Sequence, residues 1–148
     1  MRAFVLQDWV TIRGASTVTS VVMNEVQYAQ LDAYQDAIFW LQVSEVTLSA
    51  GAVTVNYETA PLKDETLFAS MATAGITTTA MTPPTVTKVL LSQNPSVPLS
   101  RWVRWRLSQS GATTSWDITF RIMLSANQLF AFHPQQVAGA MPSQWRQR

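Results

Sequence analysis

Cysteine is absent from this 148-residue chain, which removes disulfides, thiolate metal sites and cysteine nucleophiles together. A single histidine, His133, excludes multi-histidine zinc sites. Charge is scarce at 13% of residues, and ten bases against nine acids leave only +1, so no global field draws nucleic acid or anionic lipid to the protein. Glycine is equally scarce, with five in the chain, and neither a G-x-G-x-x-G nor a P-loop pattern occurs. Long apolar runs are missing too. Only Ala3 to Leu6 follow Arg2 before the polar Gln7-Asp8, which is too short for a secretory core and predicts a chain made without a leader. The run Ala37–Leu41 is far below the ~20 residues that span a bilayer, so no membrane partner is expected.

What the chain does have is 47% hydrophobic residues, six Trp, six Phe and three Tyr, together with 17 Thr, 15 Val and 13 Ser. That composition can bury a core and suits strands more than helices. Length allows one domain. Period-two alternation supports the strand reading. In 53–58, Val53, Val55 and Tyr57 alternate with Thr54, Asn56 and Glu58. In 101–107, Val103, Trp105 and Leu107 point one way while Trp102, Arg104 and Arg106 point the other. In 116–124, Trp116, Ile118, Phe120, Ile122 and Leu124 share a face opposite Asp117, Thr119 and Arg121. The polar stretch 108–115 around Gly111 makes the last two runs read as a β-hairpin. A second hairpin is expected from 39–48, through the turn at Gly51, into the strand at Val53.

Further strands are expected at 3–11, 17–23, 75–80 and 85–91, with Pro83-Pro84 separating the last two. A short helix is expected over 64–71, capped by Asp64 and presenting Leu67, Phe68 and Met71 on one face. From Asn127 the pattern fails, and the glutamine- and proline-containing tail reads as an extended arm. About eight short strands without a βαβ rhythm predict an all-β fold, an antiparallel β-sandwich of jelly-roll type. It would occupy residues 1–126, with 127–148 as the C-terminal arm.

Catalytic chemistry finds little footing. Asp32 with Asp36 and Asp64 with Glu65 are the nearest carboxylate pairs, and they read as a solvated turn and a helix N-terminus. His133 sits between Phe132 and Pro134, where it reads as a packed residue at the root of the arm. The G-x-S-x-G nucleophile elbow is absent. The expectation is a protein that is not an enzyme and needs no cofactor or metal.

Arg101, Trp102, Arg104, Trp105 and Arg106 interleave base and ring as single-stranded nucleic acid sites do, but alternation sends Trp105 inward and leaves one ring outside. An arginine face meeting carboxylates, in the same sheet or on another chain, accounts for the pattern without nucleic acid. Residues 1–100 carry four bases and eight acids, and residues 101–148 carry six bases and one acid, so basic and acidic parts of copies or partners can pair. The tail adds Trp145, Arg146 and Arg148, residue types common at interface hot spots. Trp102, Arg104, Arg106, Trp145, Arg146 and Arg148 are therefore the candidate partner-interface residues. A rival set, Trp40, Trp102, Asp32 and Asp36, has the ring-and-carboxylate chemistry of a carbohydrate-binding jelly roll.

The run Val53-Thr-Val-Asn-Tyr-Glu-Thr-Ala-Pro-Leu-Lys-Asp-Glu-Thr-Leu-Phe68, continuing to Met71, resembles small structural proteins of tailed bacteriophages and prophages. There a strand ending in Tyr-Glu-Thr is followed by Pro and an acid-rich short helix. The segments 101–107 and 116–124 are similar to the closing strands of the same proteins, so the resemblance spans about residues 37–125. It implies a β-sandwich virion component, a head decoration or minor capsid protein assembled in the host cytoplasm. Its partners would be the major capsid protein or other virion proteins, with a homo-oligomer possible. No individual functional residue is carried over from it.

Overall fold

The computed structural model describes residues 1–48, 50–76, 81–112 and 114–128. Nine strands run through them: β1 (Arg2–Gly14), β2 (Ser20–Val22), β3 (Ala29–Gln30), β4 (Tyr34–Thr47), β5 (Ala52–Ala60), β6 (Ala69–Ile76), β7 (Met81–Val89), β8 (Trp102–Ser110) and β9 (Trp116–Gln128). They form two antiparallel sheets, one ordered β1-β9-β4-β7 and the other β2-β8-β5-β6, with β3 also on β8. Because β2 and β3 both pair β8, they act as one interrupted strand. Renumbered as eight, the strands lie in the orders 1-8-3-6 and 2-7-4-5, which is the jelly-roll topology. The sandwich expected from the sequence is the fold observed.

Both expected hairpins are absent. β4 and β5 belong to opposite sheets, and so do β8 and β9, so the two connections are arches that carry the chain across the core. Alternation marks which side chains face the core, and it is satisfied equally by a turn within one sheet and by a crossing between two. The arches meet at their glycines. Gly51 and Gly111 both have left-handed backbones, with φ of 87° and 76°. A Cβ on Gly51 would lie 2.1 Å from the Ser110 carbonyl oxygen, and one on Gly111 would lie 3.3 Å from the Gly51 Cα. Only glycine allows the two crossings to pass this closely.

The expected helix over 64–71 is also corrected. Asp64 caps as anticipated, accepting from the Thr66 backbone N–H at 2.9 Å, but the helical part is one 3-10 turn, Glu65–Leu67. Ala69 then enters β6, which pairs antiparallel with β5 and is the within-sheet hairpin of this region. Strand β6 ends at Ile76, and 77–80 lie outside the described residues. Pro83-Pro84 do not separate two strands; they lie within β7, at the edge of its sheet, where a missing N–H leaves no inner ladder broken. The β4–β7 register shifts there, from Leu41 opposite Thr85 to Val43 opposite Met81. Strand β9 continues to Gln128 and takes in the first two residues of the expected arm.

Rings from both sheets fill the core. Phe39 stacks on Tyr57 at 4.1 Å, and Trp105 meets Phe120 edge-on at 5.2 Å. The Trp105 indole N–H donates to Gln7 Oε1 at 3.1 Å, so its polar end is satisfied inside the sandwich. Phe39, Leu41, Val55, Tyr57, Val103, Leu107, Ile118, Phe120 and Ile122 are completely buried. Each such side chain is worth ~1.5–3 kcal/mol of apolar burial, so these strands are the cohesive centre of the protein.

Candidate functional site

The outward residues of β8 do face outward, but the fold closes over them. Glu58 lies directly across the ladder from Arg104, and the turn at 65–67 swings Glu65 over both arginines. Arg104 Nε donates to Glu58 Oε2 at 2.7 Å, its terminal nitrogens donate to both Glu65 oxygens, and one of them also reaches the Tyr28 hydroxyl at 3.0 Å. Arg106 Nε donates to the other Glu58 oxygen at 2.8 Å, and its end reaches Glu65. The Arg104 guanidinium lies over the Phe68 ring, 3.7 Å from ring centroid to cation. The result is a two-arginine, two-carboxylate lattice under an aromatic lid, and Arg104 has no exposed surface.

Electrostatics follow from this closure. Burial works against the charge of Arg104, but hydrogen bonds to Glu65, Tyr28 and Glu58 outweigh it and hold the guanidinium above its ordinary pKa. The bond from Arg104 pulls Glu65 down to about 2, against some desolvation and with help from Arg106. Arg104 is thus a structural charge consumed inside the chain, and it is withdrawn from the candidate interface. Arg106 keeps a partly exposed side chain, 28% accessible, while bonded to both glutamates. Trp102 is half-buried, with the Lys63 ammonium 4.4 Å from its ring centroid and Arg101 at 5.6 Å. Trp145, Arg146 and Arg148 lie outside the described residues, as does His133.

The other sequence candidates are not brought together. Trp40 faces out from the four-stranded sheet and Trp102 from the five-stranded one, on opposite sides of the sandwich. Asp36 accepts from the Leu91 backbone N–H at 2.8 Å, and Asp32 lies 3.9 Å from Arg101. Asp64 is engaged by Thr66, whose hydroxyl and backbone N–H hold its carboxyl below the usual range. Among the described residues, no three His, Asp or Glu side chains converge as metal ligands, and no helix is long and apolar enough to cross a membrane.

One surface went unread in the sequence. On the outer face of the four-stranded sheet the registers align Val5 with Met123, Met123 with Trp40 and Trp40 with Val86. This apolar row crosses all four strands. The next row holds Ala3, Ser125, Ile38 and Lys88. On the other side a bulge in β1 lifts Trp9 over the Arg121 guanidinium, 5.0 Å from ring centroid to cation, while Arg121 bonds Gln42. Val5, Trp9 and Val86 are 58%, 47% and 47% exposed. The signal was present: Trp40, Met123 and Val86 are apolar residues at outward positions of alternating strands. It became legible only once the register put them side by side.

Fold and surface together define a jelly-roll β-sandwich with a closed arginine–glutamate cluster on one outer face and an apolar row on the other. No family model matches the chain, and no curated protein matches it. Among solved structures, it is similar to a chain from Bacillus endospore appendages, described as a novel family of disulfide-linked pili. The identity is 12% over 86% of this chain and 93% of that chain, with a TM-score of 0.36, and a likeness this slight carries no argument.

Proposed function

We propose that this chain is a non-enzymatic assembly protein, acting in a virion as a decoration or minor capsid component. The observation that carries the reading is the contiguous apolar row Val5–Met123–Trp40–Val86, half-buried at Met123 and Trp40 and exposed at both ends. A contiguous apolar strip on an outer sheet face is the kind of surface that other protein covers. The virion setting rests on the resemblance of residues 37–125 to phage structural proteins. Weak contacts repeated over a lattice would hold by avidity. The separation of Trp40 and Trp102 onto opposite faces supports this reading over a sugar site that uses both rings.

The test is cosedimentation of the purified chain with phage-like particles, beside a sugar titration followed by tryptophan fluorescence. Saturable occupancy that falls with Val86→Glu is the expected result. Trp145→Ala is expected to weaken occupancy without lowering the melting temperature, and unchanged occupancy would remove the C-terminal segment from the contact. Sugar-dependent quenching with no particle association would overturn the proposal in favour of a carbohydrate-binding module.

A further inference from the structure

The rims of the apolar face carry opposite charges at opposite corners. Lys88 stands at the β7 edge of the row that holds Ala3, Ser125 and Ile38. Asp8 lies in the bulge at the β1 edge, beside Trp9, one row beyond Val5 on the other side. Both are exposed, and neither forms an ion pair with a described residue. Arg121, in the same row as Trp9, is bonded to Gln42 and covered by the Trp9 ring, so its charge is partly masked at the surface.

From this pattern we infer that the face is a self-complementary contact and that its occupant is a second copy of this chain. A two-fold axis lying in the contact plane reflects the face across a diagonal. Taken along the diagonal that Lys88 and Asp8 do not occupy, it sets Lys88 of each copy against Asp8 of the other, with the apolar rows crossing between them so that Trp40 and Met123 of both copies meet at the centre. Such a contact is isologous, so each surface satisfies itself. The strands of the two copies then cross at a steep angle, which is one of the regular ways that sheets pack face to face.

Size sets the strength. Four strands at ~4.8 Å spacing with their rim side chains make the band ~20 Å wide, and three rows at ~7 Å make it ~20 Å deep. That is about 400 Å² per copy, half of the ~800 Å² each partner contributes to a standard stable interface. The pair is therefore a weak, concentration-dependent dimer in solution, and becomes firm only where many copies are held together. The inference deepens the assembly reading by naming a partner for the same face, and rests on it only in treating that face as a contact surface.

Sedimentation equilibrium of the full chain from about 1 µM to about 1 mM, a range that brackets weak association, tests it without particles. Average mass is expected to rise toward twice the monomer. Lys88→Asp and Asp8→Lys are each expected to weaken association about tenfold or more by placing like charges in contact, and the double variant to restore it. Met123→Glu, at the centre of the crossing, should abolish it, with the melting temperature read beside it to separate loss of contact from loss of fold. A monomer throughout the range, single charge variants without effect, or a double variant that fails to restore would each overturn the inference. So would dimerisation that appears only after removal of residues 129–148, since the chain's own segment would then be the occupant. Particle occupancy is a separate readout: binding that falls with Val86→Glu in a strictly monomeric protein sinks the dimer and keeps the assembly reading. Dimers that ignore particles do the reverse.

Discussion

The two outer faces of this sandwich are built on the same alternation and finished in opposite ways. On the five-stranded sheet, the outward side chains of β8 are charged, and the fold supplies a cover: Glu58 from the next strand, Glu65 from a capped turn, Phe68 and Tyr28 above. On the four-stranded sheet, the outward side chains include Trp40, Met123 and Val86, and Val86 and Val5 stay open to solvent. The difference teaches that a residue's type is a poor guide to its exposure once the face is known. Arg104, which reads as a surface group, is sealed, while Val5, Trp9 and Val86 are left uncovered. Sealing follows from pairing: a buried guanidinium persists where carboxylates offset its charge and its remaining donors find acceptors, as the Tyr28 hydroxyl provides here.

Variants can break or sharpen this contrast. Trp105→Asp should have the largest effect, because it drives a charge into the core shared by both sheets, and loss of a cooperative thermal melt is expected. An unchanged melt would show that the faces of β8 are reversed. Arg104→Ala comes next. It leaves the buried Glu58 with Arg106 as its remaining partner, and a loss approaching the ~3–5 kcal/mol range for breaking a buried ion pair is expected in denaturant titration. A loss under about 1 kcal/mol would mean that the sealed face is no better determined than the open one.

Acidity gives a smaller and more specific effect. The Glu65 carboxyl is depressed in the folded chain to about 2 from an ordinary 4.5, so its contribution is fully present above about pH 4.5 and is lost as pH falls toward 2. Its side chain is 62% accessible, so solvent screening keeps that contribution to about 1 kcal/mol or less. Glu65→Gln should flatten the stability profile in this window and leave it unchanged at neutral pH, apart from a constant offset. An identical slope in both proteins would remove Glu65 from the lattice. Val86→Glu, on the open face, should alter stability least, within about 0.5 kcal/mol by thermal melt. A large loss there would show that Val86 is packed and the face is not open.

Much of this fold is legible in the sequence alone. Alternation in 53–58, 101–107 and 116–124 named the inward residues correctly, and Val55, Trp105 and Phe120 are all buried. The polar 108–115 stretch did mark a change of direction, but whether the chain doubles back or crosses the core depends on pairing between distant segments. Strand β9 chooses β1 and β4, far away in sequence, over its neighbour β8. The closure of Arg104 was foreshadowed by the reading of an arginine face against carboxylates in the same sheet, and Glu58 fulfils it. Glu65 could not be assigned to that cluster, because its reach depends on where the 65–67 turn sits over β8. The apolar row was hidden for the same reason: four residues on four strands are neighbours only through register.

The position of β9 also governs the order in which the molecule can be made. It lies between β1 and β4, and is the strand that joins the beginning of the chain to the rest of its sheet. Until residues 116–128 have been synthesised, β1 has no ladder partner in that sheet and β4 lacks one of its two neighbours. The five-stranded sheet has all its strands once β8 emerges, so on the ribosome it is complete before its counterpart. Closing the sandwich is then a late, long-range event, of the kind that folds slowly and leaves strand edges exposed to neighbours in the meantime. A nascent chain stalled before β9 would present β1 and β4 as open templates, making the timing of that one strand a control on misassembly.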